Sequence, residues 1–160
     1  MVIGTVCVYL LMGWGGTVWS SGTVELSDKL NTVSGVTSKS YNQFDYLQAF
    51  EDLKSDKCDK IVVGGHSLGG LRAFQIANAY EKKIDLFIGL DPTTFGYEQP
   101  SNIKKFVVYQ TGGGKSTTSG RVTTIFVDAT HTTIDDDLHV HRSVMDNVKA
   151  LRVQNEVQRK

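Results

Sequence analysis

Ile61-Val62-Val63 runs directly into Gly64-Gly65-His66-Ser67-Leu68-Gly69-Gly70, and a helical pattern occupies residues 68–80. Strand, tight turn and helix in that order are what a G-x-S-x-G elbow requires, with the serine at the apex and its hydroxyl standing above the sheet edge. Gly65 and Gly69 flank Ser67 at the positions where a side chain would obstruct so sharp a bend. A serine N-cap on an ordinary strand-to-helix turn would put the same residue in the same place. The coincidence of strand, motif and helix favours the elbow and makes Ser67 the candidate nucleophile.

Outward from this stretch, the chain alternates between two kinds of pattern. Residues 2–11 are apolar and rich in β-branched side chains, and Gly13-Trp14-Gly15-Gly16 breaks the run, as a buried parallel strand followed by a loop would read. Thr23 can cap a helix carrying Leu26, Leu30 and Val33, which ends at Gly35. A weaker strand at 36–41, a helix marked by Phe44, Leu47, Phe50 and Leu53, and a charged run at 54–60 lead back to the strand at 61–64. Beyond the elbow, strands are expected at 84–90, 106–109 and 122–127. A last helix is expected from near Asp136, with Val144, Val148 and Leu151 on one face and Asp135, Asp136 and Asp137 as its N-terminal caps. The alternation predicts a three-layer α/β/α sandwich around a mostly parallel sheet of about six strands with right-handed crossovers. The length, 160 residues, fits one domain over 1–160.

Lysine plus arginine and aspartate plus glutamate number 17 each, so the formal charge is zero and no long-range field attracts nucleic acid or an anionic membrane. A small neutral substrate suits such a chain. Sixteen glycines, two prolines and 40% hydrophobic residues suit a globular fold with many tight turns. Cys7, within an apolar strand, and Cys58, in a charged stretch, read as free thiols on elements the fold keeps apart. That reading favours a reducing, cytoplasmic setting over a secreted one. Residues 2–12 lack the basic flank and small-residue cleavage site of a signal sequence, and no stretch reaches the roughly 18 apolar residues of a membrane span.

A serine needs a base within hydrogen-bond reach and an acid to orient that base. The C-terminal ends of parallel strands share one edge, so partners should stand just after strands. Asp91 follows the strand at 84–90 directly, and His131 follows that at 122–127 by four residues. Asp91 could instead open an Asp-Pro turn, with Glu98 in reserve as the acid. Among the other histidines, His66 stands beside the nucleophile, where it packs or touches substrate, and His139 and His141 belong to the start of the last helix. The oxyanion donors would be the amide of Leu68 and one from the loop after the first strand, Trp14 or Gly13, with Gly13 and Gly15 shaping the substrate cleft.

Gly64-Gly65-His66-Ser67-Leu68-Gly69-Gly70, Gly89-Leu90-Asp91-Pro92 and His131-Thr132-Thr133-Ile134-Asp135 together resemble α/β-hydrolases of the lipase and esterase type. The resemblance spans residues 2–155 and implies a serine hydrolase acting on esters, with Asp91 as the triad acid, His131 as the base and residues 13–22 shaping the oxyanion hole. The chain departs from that family in size: the two N-terminal antiparallel strands and any long lid insertion are missing, so short-chain soluble esters are expected rather than lipid droplets. The same residues would equally serve thioester, amide or acyl-transfer chemistry. A hydrolase-like binding module with an idle Ser67 is the alternative from another class.

Two further motifs carry less. Gly112-Gly113-Gly114-Lys115-Ser116 lacks the first glycine of a phosphate-binding loop, since Tyr109 stands in its place. His139 and His141 do not share a helix face, which argues against a metal site. No cofactor is implied.

Overall fold

The computed structural model describes residues 4–93 and 99–158, the last six by backbone alone. Its elements run β1 (Val6–Leu11), α1 (Ser21–Asn31), β2 (Val36–Tyr41), α2 (Tyr46–Ser55), β3 (Lys60–His66), α3 (Leu68–Ala79), β4 (Leu86–Leu90), β5 (Phe106–Thr111), β6 (Thr117–Ser119), β7 (Val122–Val127) and α4 (Leu138–Gln158). The strands form a seven-stranded sheet in the order β2-β1-β3-β4-β5-β7-β6. Every neighbouring pair is parallel except β6 with β7.

The fully apolar β1 is buried on both faces, and its alternation splits it between two cores. Val6, Val8 and Leu10 pack with Leu26 and Leu30 of α1 and with Val140, Val144 and Val148 of α4. Cys7, Tyr9 and Leu11 face Ala49 and Leu53 of α2 and Ala73, Phe74, Ile76 and Ala77 of α3. This is the three-layer α/β/α sandwich, built on a seven-stranded, mostly parallel sheet. Truncating a central side chain such as Leu26 to alanine would cost about 2–5 kcal/mol.

Several boundaries differ from the sequence reading. The sheet gains an edge strand, β6, whose Thr117-Thr118-Ser119 is exposed and polar and so gives no apolar signal. Ile84 makes only an isolated bridge to Ile103, and β4 proper begins at Leu86. Helix α1 starts at Ser21, after Ser20, so Thr23 lies within its first turn. A 3-10 turn at Ile134–Asp136 precedes α4, and only Asp137 caps that helix, accepting from the His139 and Val140 amides at 2.8 and 3.0 Å.

Cys7 and Cys58 are joined as a disulfide with Cα atoms 5.8 Å apart, which corrects the free-thiol expectation. Both the Asp59 and Lys60 amides donate to the Thr5 carbonyl, so the turn into β3 folds over the start of β1 and brings Cys58 beside Cys7. The argument for a reducing compartment goes with the thiols. No helix among the described residues is long and apolar enough to cross a membrane.

Candidate active site

His66 and Leu90 pair across β3 and β4, so the residues that follow them, Ser67 and Asp91, emerge side by side at the C-terminal edge of the sheet. Ser67 has φ 53° and ψ −121°, a conformation L-residues rarely adopt, and Asp91 has φ 43°. The strain thus sits on the serine itself. Gly65 and Gly69 serve close packing instead: a Cβ on Gly65 would lie 2.5 Å from Gly69 backbone, and one on Gly69 only 2.1 Å from the Leu11 carbonyl oxygen. Ser67 occupies the N-cap position of α3, yet its hydroxyl makes no capping bond.

That hydroxyl lies 2.9 Å from Nε2 of His131, which stands in the loop after β7. Nδ1 of the same ring lies 2.5 Å from Oδ2 of Asp91. A carboxylate can only accept, so Nδ1 carries the proton and Nε2 is left to accept from Ser67. Asp91 is anchored in turn by Thr111 at the end of β5, through the hydroxyl at 2.9 Å and the amide at 3.4 Å. Burial alone would raise the Asp91 carboxyl, but the hydrogen bonds from His131 and Thr111 outweigh it and hold the group below its ordinary value. The carboxylate is therefore ionised at neutral pH.

Leu68 opens α3, where the free N–H groups and the helix dipole favour negative charge. The Gly13 amide is committed to Ser20 Oγ at 3.0 Å. Neither the Trp14 nor the Leu68 amide donates to a protein acceptor among the described residues. Gly15 begins the 3-10 turn after β1 with φ 82°. His66 is 3% exposed, with Nδ1 2.6 Å from Ser20 Oγ and Nε2 2.7 Å from the His131 carbonyl oxygen. His141, also buried, accepts from Lys29 at Nδ1 (3.0 Å) and donates from Nε2 to the Asp135 carbonyl. His139 is exposed, and Glu98 lies outside the described residues.

Thr111 and Ser20 join this edge without having been singled out by motif, and Asp135, expected as a helix cap, joins it too. Asp135 is fully buried, and instead of capping α4 its Oδ2 accepts from the amide and hydroxyl of Thr23 in α1, at 3.1 and 3.3 Å. Only its position four residues after His131 hinted at a place here. Among the described residues, no group of three or more His, Cys, Asp or Glu could hold a metal ion. A cavity of about 570 Å³, lined by residues 54–61 together with Tyr80, Lys82, Lys83 and Asp85, lies at the opposite end of β3, away from Ser67.

No family model matches the sequence, and no curated protein matches it at the sequence level. Solved structures with a similar fold include Est1E from Butyrivibrio proteoclasticus, 13% identical, TM-score 0.64, with the match covering 98% of this chain and 90% of that one. The likeness is one of fold.

Proposed function

We propose that the protein is a serine hydrolase that cleaves carboxylic esters, with residues 1–160 acting as one catalytic domain. One observation carries the reading: Ser67 Oγ, both nitrogens of His131 and the Asp91 carboxylate form an unbroken chain of hydrogen-bond contacts at 2.9 and 2.5 Å. The strained φ of Ser67 supports it, because strain of this kind persists where the surrounding structure enforces it. So does the likeness to Est1E, an esterase.

In the proposed mechanism, His131 Nε2 takes the Ser67 proton as Oγ attacks the ester carbonyl carbon, and Asp91 stabilises the resulting imidazolium. The carbonyl oxygen becomes an oxyanion facing the Leu68 and Trp14 amides. Collapse breaks the bond to the alkoxide leaving group, which receives the proton from His131. Water, deprotonated by the same nitrogen, then attacks the acyl-enzyme; the second collapse frees the acid and returns the proton to Ser67.

Short-chain soluble esters are the proposed substrates, since the His131 side chain that serves as base is 51% exposed. The same geometry serves thioesters and amides, which differ in the leaving group. The test is a panel of p-nitrophenyl esters of increasing acyl length, with matched thioesters and anilides. Turnover of short esters, lowered by about 10⁴-fold or more in Ser67→Ala, is the expected result. Undiminished turnover in that variant contradicts it.

A further inference from the structure

We infer that His66 is a positioning residue of this site, a ring that locks the loop bearing the base to the loop bearing an oxyanion donor. The inference rests on the serine-hydrolase reading and extends it to a residue whose two ring nitrogens are both committed to protein groups. His66 ends β3, is 3% exposed, and has protein partners on both nitrogens. Its Nε2–H donates to the backbone carbonyl of His131 at 2.7 Å, a carbonyl having no proton to give. Nδ1 lies 2.6 Å from the Ser20 hydroxyl oxygen, and that oxygen accepts from the Gly13 amide at 3.0 Å. One buried ring thus spans from the backbone of His131 to the residue before Trp14.

Asp135 closes the arrangement from behind. Its Oδ2 binds Thr23 at the N-terminal turn of α1, fixing the far end of the His131 loop, and its Oδ1 lies 3.7 Å from His66 Nδ1 with no hydrogen-bond partner among the described residues. The Ser20 hydroxyl also lies 3.4 Å from Thr23 Oγ1, so Ser20, Thr23, His66 and Asp135 form a single polar cluster beneath the site. Loops after β1 and β7 have no strand pairing of their own here, and this cluster holds them relative to Ser67. Displacements near 1 Å at reacting groups can lower a rate by about 100-fold.

The test compares His66→Leu, of similar bulk without either nitrogen, with His66→Gln, whose amide can still donate to the His131 carbonyl. Each is measured beside wild type for p-nitrophenyl acetate kinetics, fluorophosphonate labelling rate and thermal unfolding. Expected are a fall in kcat of about 100-fold for His66→Leu at nearly constant KM, and recovery in His66→Gln to within about 10-fold of wild type. A folded His66→Leu with wild-type kcat, or a His66→Gln as slow as the leucine variant, overturns the inference. Should His66→Leu fail to fold, Ser20→Ala replaces it: a kcat loss of about 10-fold at constant KM supports the coupling and an unchanged kcat overturns it. An unlabelled, inactive wild type overturns the underlying reading, whereas a labelled wild type with full-rate variants overturns this inference alone.

Discussion

Ser67 and Asp91 follow the register-paired residues His66 and Leu90 on adjacent parallel strands, and both carry positive φ, 53° and 43°. The Ser67 amide donates to the Leu90 carbonyl at 3.1 Å, so the two bends are tied by backbone as well as through His131. Among the described residues no other non-glycine has positive φ. Backbone strain is thus concentrated on two neighbouring positions, and it aims both side chains at one imidazole.

Relief of that strain should separate stability from activity. Ser67→Gly is expected to raise the unfolding free energy by about 1 kcal/mol, since glycine adopts this conformation freely, while abolishing turnover. Urea unfolding beside Ser67→Ala, which keeps the strain, measures it. A glycine variant no more stable than the alanine variant contradicts the reading of the elbow as strained.

Thr111→Val should loosen Asp91 by removing the 2.9 Å hydroxyl contact. The folded carboxyl of Asp91 lies below its unfolded value, so it contributes stability that is full above the unfolded value and lost as pH falls through the folded one. In Thr111→Val the Asp91 titration moves up and less stability is lost on acidification below about pH 4, with kcat about 10-fold lower. Carboxyl NMR titration checks the first part and ester kinetics the second; an unmoved Asp91 titration counts against the Thr111 anchor.

The elbow was legible because the pattern changes from β to helical period within a few residues of paired glycines. Asp91 and His131 were placed with Ser67 because a parallel sheet brings the ends of its strands to one edge, where the His131 ring lies between Ser67 Oγ and Asp91 Oδ2. What escaped depends on contacts far apart in sequence. Asp135 reads as a cap for the helix that follows it, but binds Thr23, 112 residues away. The Cys7–Cys58 pairing depends on the turn at 58–60 folding over Thr5. Thr111 and Ser20 are ordinary hydroxyl residues whose importance lies entirely in which loop stands opposite.

Gly22→Ala tests the docking of the His131 loop on α1. A Cβ there would lie 2.2 Å from the Asp135 carbonyl oxygen and 2.5 Å from the Asp136 amide, backbone atoms that must move apart. Destabilisation of about 1–3 kcal/mol is expected, with a fall in kcat as the loop bearing His131 shifts. Chemical denaturation and ester kinetics on the same preparation measure both; wild-type values for each contradict this packing.

Cys58→Ser opens a loop closed over a sequence separation of 51 residues. Unfolding free energy should fall by about 4 kcal/mol on the chain-entropy estimate. A non-reducing peptide map of wild type should show Cys7 and Cys58 in one linked fragment, and separate fragments would contradict the bridge.

In the proposed mechanism Ser67 is an activated nucleophile driven by His131. The most direct measurement is intact-mass spectrometry after exposure to a fluorophosphonate, applied to wild type, Ser67→Ala and His131→Ala. One adduct is expected on wild type, mapped to Ser67, and none on either variant over the same time. A folded wild type that takes up no adduct, or variants labelled as fast as wild type, would contradict it.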